Sequence, residues 1–209
     1  MKIVEDILTE DFPDYNIYME ILNTKDFNKP QNRNRFFLVM IKKTLDLGFK
    51  FPKKQALTTK FTDLLEDKVN ESLTITDREI IVYPHREYNN PTQLHLYGET
   101  KNKNGKKSVH RSSRTILFPH MCSCLTTHGH TKIYHQNIVR NLSPREQIRL
   151  HGGSEEYILP TDNYNLCCHI MGNTLSPVVM KGLIENVLFM DNTKVNNISF
   201  NNESLLLVS

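Results

Sequence analysis

A run of six apolar residues, FFLVMI at 36–41, constrains the fold of this chain more than any other feature. A continuous apolar run of strand length is typical of a strand covered on both faces, whereas a strand with one wet face alternates apolar and polar residues. The alternating run at 15–22, with Ile17, Met19 and Ile21, predicts another strand before it. We therefore expect two strands, of which the second is buried.

Two helices have clear start signals. LSPREQIRLHGG at 142–153 supplies a serine cap, a proline at the first helical position, a glutamate that completes a capping box and a glycine pair at the end. LSPVVMKGLIENVLF at 175–189 repeats the Ser-Pro start, and its apolar residues recur at the spacing of one helix face. A further helix is predicted in IVEDIL at 3–8, because FPD at 12–14 breaks the pattern after it.

The pattern changes after Phe51-Pro52. Residues 58–69 carry apolar residues at helical spacing and predict a short helix. Residues 84–137 are rich in Asn, His, Lys, Thr and Ser and hold only short strand candidates. We expect a small, loop-rich lobe that begins near residue 53.

Composition excludes some classes of protein. With 38% hydrophobic and 23% charged residues, the 209-residue chain is expected to fold rather than to stay disordered. It has no run long enough for a membrane span and no signal peptide, so we expect a cytoplasmic protein without membrane contact. The net charge of +3 gives only weak support for a polyanionic partner. The four cysteines fall in two tight pairs, which favours reduced thiols.

Two segments are candidate ligand sites. Gln31, Arg33 and Arg35 stand at the entrance of the apolar strand, where guanidinium groups can grip a phosphate or a carbonyl; a solvated loop is the alternative. GNTLSP at 172–177 is predicted to be a loop before a helix, and its backbone N–H groups and asparagine amide suit polar ligand atoms. An ordinary capped helix start is the alternative there.

Three stretches, in this order along the chain, carry a family resemblance. ILNTKDFNKPQNRNRFFLVMI at 21–41 resembles a strand, loop and strand with a Gln-x-Arg-x-Arg block. RNLSPREQIRLHGG at 140–153 resembles a late Arg-x-Leu-Thr-Pro-Arg-Glu helix, and IMGNTLSPVVMKGLIENVL at 170–188 resembles a final Gly-Asn segment. The family is that of the bacterial-type DNA (cytosine-5)-methyltransferases, and the resemblance is to their last third.

The resemblance implies an α/β fold. Residues 1–52 and 160–209 are expected to contribute strands and a helix to a Rossmann-like methyltransferase sheet, of which this chain has only a part. Residues 53–159 are expected to form a target-recognition lobe that is small, loop-rich and mostly β.

The resemblance also implies roles for single residues. Arg35 is expected to hydrogen-bond the O2 edge of a target cytosine flipped out of the duplex, Arg33 to contact the DNA backbone beside it, and Gln31 to belong to the same catalytic block. The residues expected to lie against S-adenosylmethionine are Gly172, Asn173, Thr174 and Leu175. The residues expected to brace the recognition lobe are Arg140, Arg145, Glu146 and Arg149.

DNA contacts are expected from the region between the matching stretches. A basic loop there suits phosphate contacts, although a solvated loop is the alternative. The segment after it falls where the family has a recognition-loop Thr-Leu pair, which this chain replaces by Cys124-Leu125. The candidate DNA-binding residues are Lys106, Lys107, Arg111, Arg114, Thr126, Thr127 and His128.

A rival interpretation of the same region is a zinc site. The possible ligands are His120, Cys122, Cys124, His128 and His130. Their Cys-x-Cys and His-x-His spacings are cramped for a tetrahedral zinc site, so we predict ordinary loop residues and no metal.

The family's chemistry needs a cysteine thiolate that follows a proline, and no cysteine of this chain follows a proline. The Gly-rich cofactor loop and the Glu-Asn-Val segment are likewise expected before the first residue of this chain. We therefore expect the second subunit of a two-chain enzyme of a restriction-modification system. We expect it to be inactive alone, to share S-adenosylmethionine with an N-terminal partner chain, and with that partner to methylate double-stranded DNA in a bacterial or viral setting. The alternative is an inactive DNA-binding remnant or regulatory module, with or without zinc.

Overall fold

The computed structural model describes residues 2–76, 78–81, 96–102, 115–118, 121–127, 131–136 and 138–189. The chain is mixed α/β with small sheets and falls into two compact units. The first unit comprises Met1–Met19, Leu38–Pro52 and Gly182–Ser209, and the second comprises Glu20–Phe37 and Lys53–Lys181.

The described elements are four α-helices, three short 3-10 helices and nine strands. The α-helices are α1 (Lys2–Asp11), α2 (Pro144–His151), α3 (Tyr164–Asn173) and α4 (Pro177–Leu188). The 3-10 helices are Thr24–Phe27, Phe61–Leu64 and Glu71–Leu73. The strands are β1 (Tyr15–Asn23), β2 (Gln31–Asn32), β3 (Asn34–Lys42), β4 (Arg78–Ile81), β5 (Leu96–Asn102), β6 (Thr115–Phe118), β7 (Cys122–Ser123), β8 (Lys132–His135) and β9 (Ile138–Asn141). None of the helices in these ranges is long and apolar enough to cross a membrane.

The strands form three separate sheets. β1 pairs with β3, and the short β2 runs parallel to β7, with Gln31 opposite Cys122. The third sheet has five strands in the order β4-β5-β6-β8-β9, and all its pairs are antiparallel except β6 with β8. The short β2–β7 pair matters most for the site, because it joins the segment around Arg33 to the segment around Cys124.

Elements with several agreeing sequence signals lie where they were predicted. This holds for α1, β1, β3 and α4. In α2 the capping box is complete, because Ser143 Oγ accepts from Glu146 N at 3.1 Å and Glu146 Oε2 accepts from Ser143 N at 2.8 Å. The helix ends at Gly152, which takes the left-handed conformation with φ of 78°.

The prediction that the FFLVMI strand is buried is wrong for this chain. Phe36 is 49% exposed and Leu38 is 40% exposed, whereas Ile41 is buried. The reason is that, of the strands the structure describes, only β1 pairs with β3, and the apolar side chains of β3 remain partly in contact with water.

The helix predicted at 58–69 shrinks to the 3-10 turn Phe61–Leu64. Leu65 already has an extended backbone with ψ of 149°, and Glu66 N donates to Glu146 Oε1 at 2.8 Å rather than to a carbonyl one turn back. A tertiary hydrogen bond therefore replaces the helical one.

Helix α3 was not predicted. It begins at a clear cap, because Asn163 Oδ1 accepts from Leu166 N at 3.1 Å. Its interior, with two adjacent buried cysteines, lacks the regular apolar spacing that marks α2 and α4. The Asn cap shortly after Pro160 was the available signal.

The second unit has the main hydrophobic core. Its buried members are Phe61, Leu64, Cys122, Leu125, Ile133, Leu142, Ile148, Leu150 and Met171. These residues come from the 61–64 turn, β7 and the loop after it, β8, the link between β9 and α2, α2 itself and α3. The core therefore fixes the loop at 124–127 between α2 and α3. All four cysteines of the chain are free thiols.

In the first unit, the carboxylate of Asp46 organises the turn after β3. Its Oδ2 accepts from Asn16 Nδ2 at 2.6 Å and from the Tyr18 hydroxyl, and its Oδ1 accepts from Gly48 N and Phe49 N. Burial raises the pKa of Asp46, but these hydrogen bonds together outweigh it and lower the pKa to about 2. The same contact raises the pKa of Tyr18 to about 12.

We expect Asp46→Asn to destabilise the chain by about 1–2 kcal/mol at pH 7, because the folded state stabilises the ionised carboxylate. The depressed pKa means that this stability is present above the unfolded value of 3.8 and is lost as the pH falls towards 2. Urea unfolding at pH 7 and at pH 3 measures the difference between the variants. Asp14→Asn, at an exposed position, serves as the control and should change stability by less than about 0.5 kcal/mol. Equal effects of the two substitutions would contradict this role of Asp46.

Candidate functional site

Arg33 is the most tightly held of the predicted site residues. The residue is 1% exposed. Its Nη1 donates to Leu125 O at 2.9 Å and to Cys124 Sγ at 3.3 Å, and its Nη2 donates to Gly172 O at 2.8 Å and to Thr174 O at 2.6 Å. The guanidinium thus joins β2 and β3 to two distant segments, 124–127 and 172–175.

Arg35 is the second residue of β3, two positions after Arg33, and is only half-buried. Its Nη1 donates to the carbonyl of the neighbouring Asn34 at 2.8 Å and makes a longer contact of 3.8 Å with Cys124 Sγ. A guanidinium carries five N–H donors, and both of these contacts are made by Nη1. Arg35 therefore keeps most of its hydrogen-bonding capacity for a ligand.

Gln31 is fully buried in β2. In the part of the chain that the structure describes, neither its amide nitrogen nor its amide oxygen has a hydrogen-bond partner. Opposite it in β7, burial raises the pKa of the Cys122 thiol far above its ordinary value, so this cysteine is a neutral core residue. Gln31 thus lies away from solvent, opposite a buried thiol.

The segment 172–175 is not the loop that the sequence predicted. Gly172 and Asn173 form the last turn of α3, and only Thr174, Leu175 and Ser176 lie between the helices. The helix continues to this point because Thr174 N and Thr174 Oγ1 both donate to Ile170 O, at 2.9 and 2.7 Å. Asn173 and Leu175 are exposed, and Asn173 Nδ2 lies 3.1 Å from His169 Nε2.

Gly172 lies directly against the segment 124–127. A Cβ atom at this position would be 2.3 Å from Thr127 N and 2.6 Å from the carbonyl carbon of Thr126. Such distances are far below van der Waals contact, so the two backbones approach this closely only because residue 172 has no side chain. The predicted cofactor segment and the predicted recognition residues are therefore in direct contact.

His151 is a buried residue near this site that the sequence analysis missed. It is 1% exposed, and its ring contacts the backbone of Met171. Burial first, and then the nearby positive charge of Arg33, lower its pKa to about 4. The end of α2 is held at this point by Ser176 Oγ, which donates to His151 O at 2.9 Å. The signal that was available is a histidine immediately before the glycines that end α2.

The four residues expected to brace the recognition lobe make two arginine–glutamate pairs, one of them with Glu155, and several contacts to backbone carbonyls. Arg140 and Glu146 make a bidentate pair with both nitrogen–oxygen distances at 2.7 Å. Arg149 pairs with Glu155 on the surface, at 2.7 and 3.0 Å, and also donates to Leu64 O. Arg145 donates to Glu155 O at 3.0 Å.

A protein-family model, described as the C-5 cytosine-specific DNA methylase, matches residues 3–188 of this chain. The chain belongs to this family. The match includes both arginines of the site, the close contact at Gly172 and all four α-helices.

Curated relatives and solved structures agree with this assignment. The chain is 27% identical over 179 residues to the type II methyltransferase M.Bsp6I of Bacillus sp. (strain RFL6). The matched region covers 83% of this chain and 55% of that protein. It is 29% identical to M.DsaV of Dactylococcopsis salina, over 83% of this chain and 48% of that protein. The methyltransferase EhMeth of Entamoeba histolytica shares the fold with a TM-score of 0.60 and 19% identity, over 91% of this chain and 57% of that one. The methylase chain thus spans about half the length of these relatives.

The chain itself contains a Glu-Asn-Val sequence. Glu185-Asn186-Val187 repeats the Glu-Asn-Val segment that was expected only before the first residue. It lies inside α4, where Asn186 Nδ2 donates to Lys50 O at 2.9 Å, and it follows the Gln-x-Arg-x-Arg block along the chain.

Only some of the candidate DNA-binding residues lie in the part of the chain that the structure describes. Thr126 is exposed and Thr127 is half-buried beside Gly172. Lys106, Lys107, Arg111, Arg114 and His128 lie outside the described residues. So do His120 and His130 of the zinc interpretation. Among the residues that are described, no three side chains are grouped as metal ligands.

Proposed function

We propose that this chain is the base-contacting and cofactor-closing part of a DNA (cytosine-5)-methyltransferase. It methylates cytosine in double-stranded DNA with S-adenosylmethionine, together with an N-terminal half that carries the cysteine nucleophile. The observation that carries the proposal is Arg35: its half-buried guanidinium uses few of its donors and stands near Arg33, whose two terminal nitrogens are both occupied, at the strand entrance of the matched family block.

Arg35 suits a cytosine that has left the base stack. A flipped base presents its O2 oxygen, and a guanidinium is a strong donor to such an oxygen in a site from which water is excluded. Arg33 is buried and attached to three carbonyls, so Arg35 is the arginine of the block that is left to face a ligand.

The segment 172–175 fits an S-adenosylmethionine site in its chemistry. The exposed amide of Asn173 suits polar atoms of the cofactor, and the exposed Leu175 suits apolar packing against a purine ring. The cofactor supplies the methyl group when bound. The residues of segment 172–175 hold the cofactor in one position, because Arg33 fixes the carbonyls of Gly172 and Thr174.

Exposed apolar side chains in the first unit support a complementary half. Helix α1 exposes Ile3 to 74% and Ile7 to 53% of their surface, and α4 exposes Leu188 to 64%. The further exposed members of this unit are Val4, Phe12, Leu38, Leu45, Ile184 and Phe189. Soluble proteins rarely leave so many large apolar residues in water, and such surfaces mark interaction sites. We propose that the N-terminal half, as a partner chain, covers them and completes the Rossmann-like sheet.

The test is methyl transfer by the reconstituted pair. This chain is co-expressed with a chain that carries the Pro-Cys nucleophile and the cofactor loop, the complex is purified, and transfer of tritium-labelled methyl groups to duplex DNA is measured. Activity that requires both chains is expected. A stable complex that binds DNA without transferring methyl groups would replace the proposal with a DNA-binding remnant.

In the active pair, we expect Arg35→Ala to lower kcat/KM for methyl transfer about 10- to 100-fold, because it removes a directed contact to the base edge worth about 1–3 kcal/mol. Arg145→Ala is the matched control, since among the described residues Arg145 donates to a surface carbonyl, and it should leave kcat/KM within twofold. Equal losses in the two variants would remove Arg35 from the base site.

A further inference from the structure

The contacts of Arg33 account for four of its five N–H groups. Both N–H groups of each terminal nitrogen have an acceptor, three of the four being backbone carbonyls. The remaining Nε is buried and has no partner in the described ranges. A side chain with 1% exposure and this set of bonds has no free face for a phosphate group.

The acceptors of Arg33 lie where a positive charge is most favourable. Gly172 is in the last turn of α3, and the final carbonyls of a helix lack intrahelical partners and carry partial negative charge. Thr174 O follows directly. Arg33 therefore caps the carboxyl end of α3 and, through Leu125 O, ties the segment 124–127 to the same guanidinium.

The glycine contact makes the same junction from the other side. Gly172 meets the backbone of Thr126 and Thr127 with no room for a Cβ atom. Two independent features, a three-carbonyl arginine bond set and a backbone-to-backbone approach, thus join segment 124–127 to segment 172–175.

We propose that Arg33 is a positioning residue that holds segment 124–127 against segment 172–175, and that it does not contact the DNA backbone. The role rests on the proposed function, because these segments contain the recognition and cofactor residues assigned there. Its consequence is that cofactor binding depends on a residue two positions from the base-contacting Arg35, whereas the electrostatic part of DNA binding does not depend on it.

The first test uses this chain alone. Amide hydrogen exchange is compared between the wild type, Arg33→Met and the matched control Arg35→Met, which removes the same charge from the same strand. Arg33→Met should speed exchange at the ends of both segments, at 125–127 and 174–175, about tenfold or more, and Arg35→Met should leave 174–175 unchanged. Acceleration in one segment only, or equal acceleration by both variants, overturns the proposal.

The second test uses the reconstituted pair and separates cofactor binding from phosphate contact. For Arg33→Met, the Kd for S-adenosylmethionine should rise about tenfold, while the slope of log K against log salt for DNA binding stays the same. A lost phosphate contact would lower that slope by about 0.9, and such a drop with an unchanged cofactor Kd overturns the proposal.

A second variant keeps the proposal testable if Arg33→Met does not fold. Gly172→Ala leaves both arginines in place and pushes the two segments apart, so it should raise the cofactor Kd without changing the salt slope. An unchanged cofactor Kd in Gly172→Ala overturns the proposal. If the pair transfers no methyl groups, the proposed function fails, but hydrogen exchange on the single chain still decides the role of Arg33.

Discussion

Glu146→Gln is expected to destabilise the second unit by about 3–5 kcal/mol, because it leaves the charge of Arg140 buried without its counter-ion. Arg140 and Glu146 are 1% and 0% exposed and share two hydrogen bonds of 2.7 Å. The carboxylate also accepts from Ser143 N and Glu66 N, both at 2.8 Å. One carboxylate thus satisfies the start of α2, the chain after the 61–64 turn and a buried guanidinium.

Guanidinium chloride unfolding of the chain, with the midpoint compared at constant slope, measures this loss. Glu155→Gln is the matched control, because Glu155 makes the same two-bond contact with Arg149 but is 61% exposed. Exposed pairs contribute about 0–1 kcal/mol, so the control should shift the midpoint only slightly. Similar shifts in the two variants would mean that burial adds nothing to the Arg140–Glu146 pair.

His151 is expected to make stability depend on pH between about 4 and 6.5. Its pKa in the folded chain is about 4, against 6.5 for an ordinary histidine, first because the ring is buried and then because it lies near the positive charge of Arg33. Below pH 6.5 the unfolded chain takes up a proton that the folded chain refuses, so the free energy of unfolding falls as the pH falls. The two values give a loss of about 3 kcal/mol by pH 4, and none of this loss occurs above pH 7.

The measurement is the free energy of unfolding at half-unit pH intervals from 4 to 7.5, for the wild type and for His151→Gln. The wild type should lose more stability than the variant across this range. Because both proteins have the same carboxylates, the difference between the two curves removes the carboxylate contribution. His169→Gln, at an exposed position of α3, should follow the wild-type curve. Parallel curves for wild type and His151→Gln would show that the ring is protonated in the folded chain.

Helices that are marked by several local sequence signals were predicted from the sequence. The Ser-Pro starts placed α2 and α4, and the capping box formed with both of its hydrogen bonds. The alternating and continuous apolar runs placed β1 and β3. These elements depend on neighbours within a few residues, so a single sequence was enough.

Elements that depend on distant partners were not predictable in this way. The 58–69 helix shortened because Glu66 N bonds Glu146, and the exposure of Phe36 and Leu38 depends on which other strands are present to cover them. In the site, the block Gln31, Arg33 and Arg35 was identified from sequence, but the different environments of its members were not.

The sequence by itself therefore determined the family, the main helix boundaries and the arginine block. Only the tertiary structure decided that Arg33 is buried, that Gly172 touches the segment 124–127 and that burial, together with the charge of Arg33, lowers the pKa of His151. The acceptors of Arg33 are 91 to 141 residues away along the chain. Helix and strand patterns report neighbours three or four residues apart, whereas a buried charge is defined by the atoms that surround it in space.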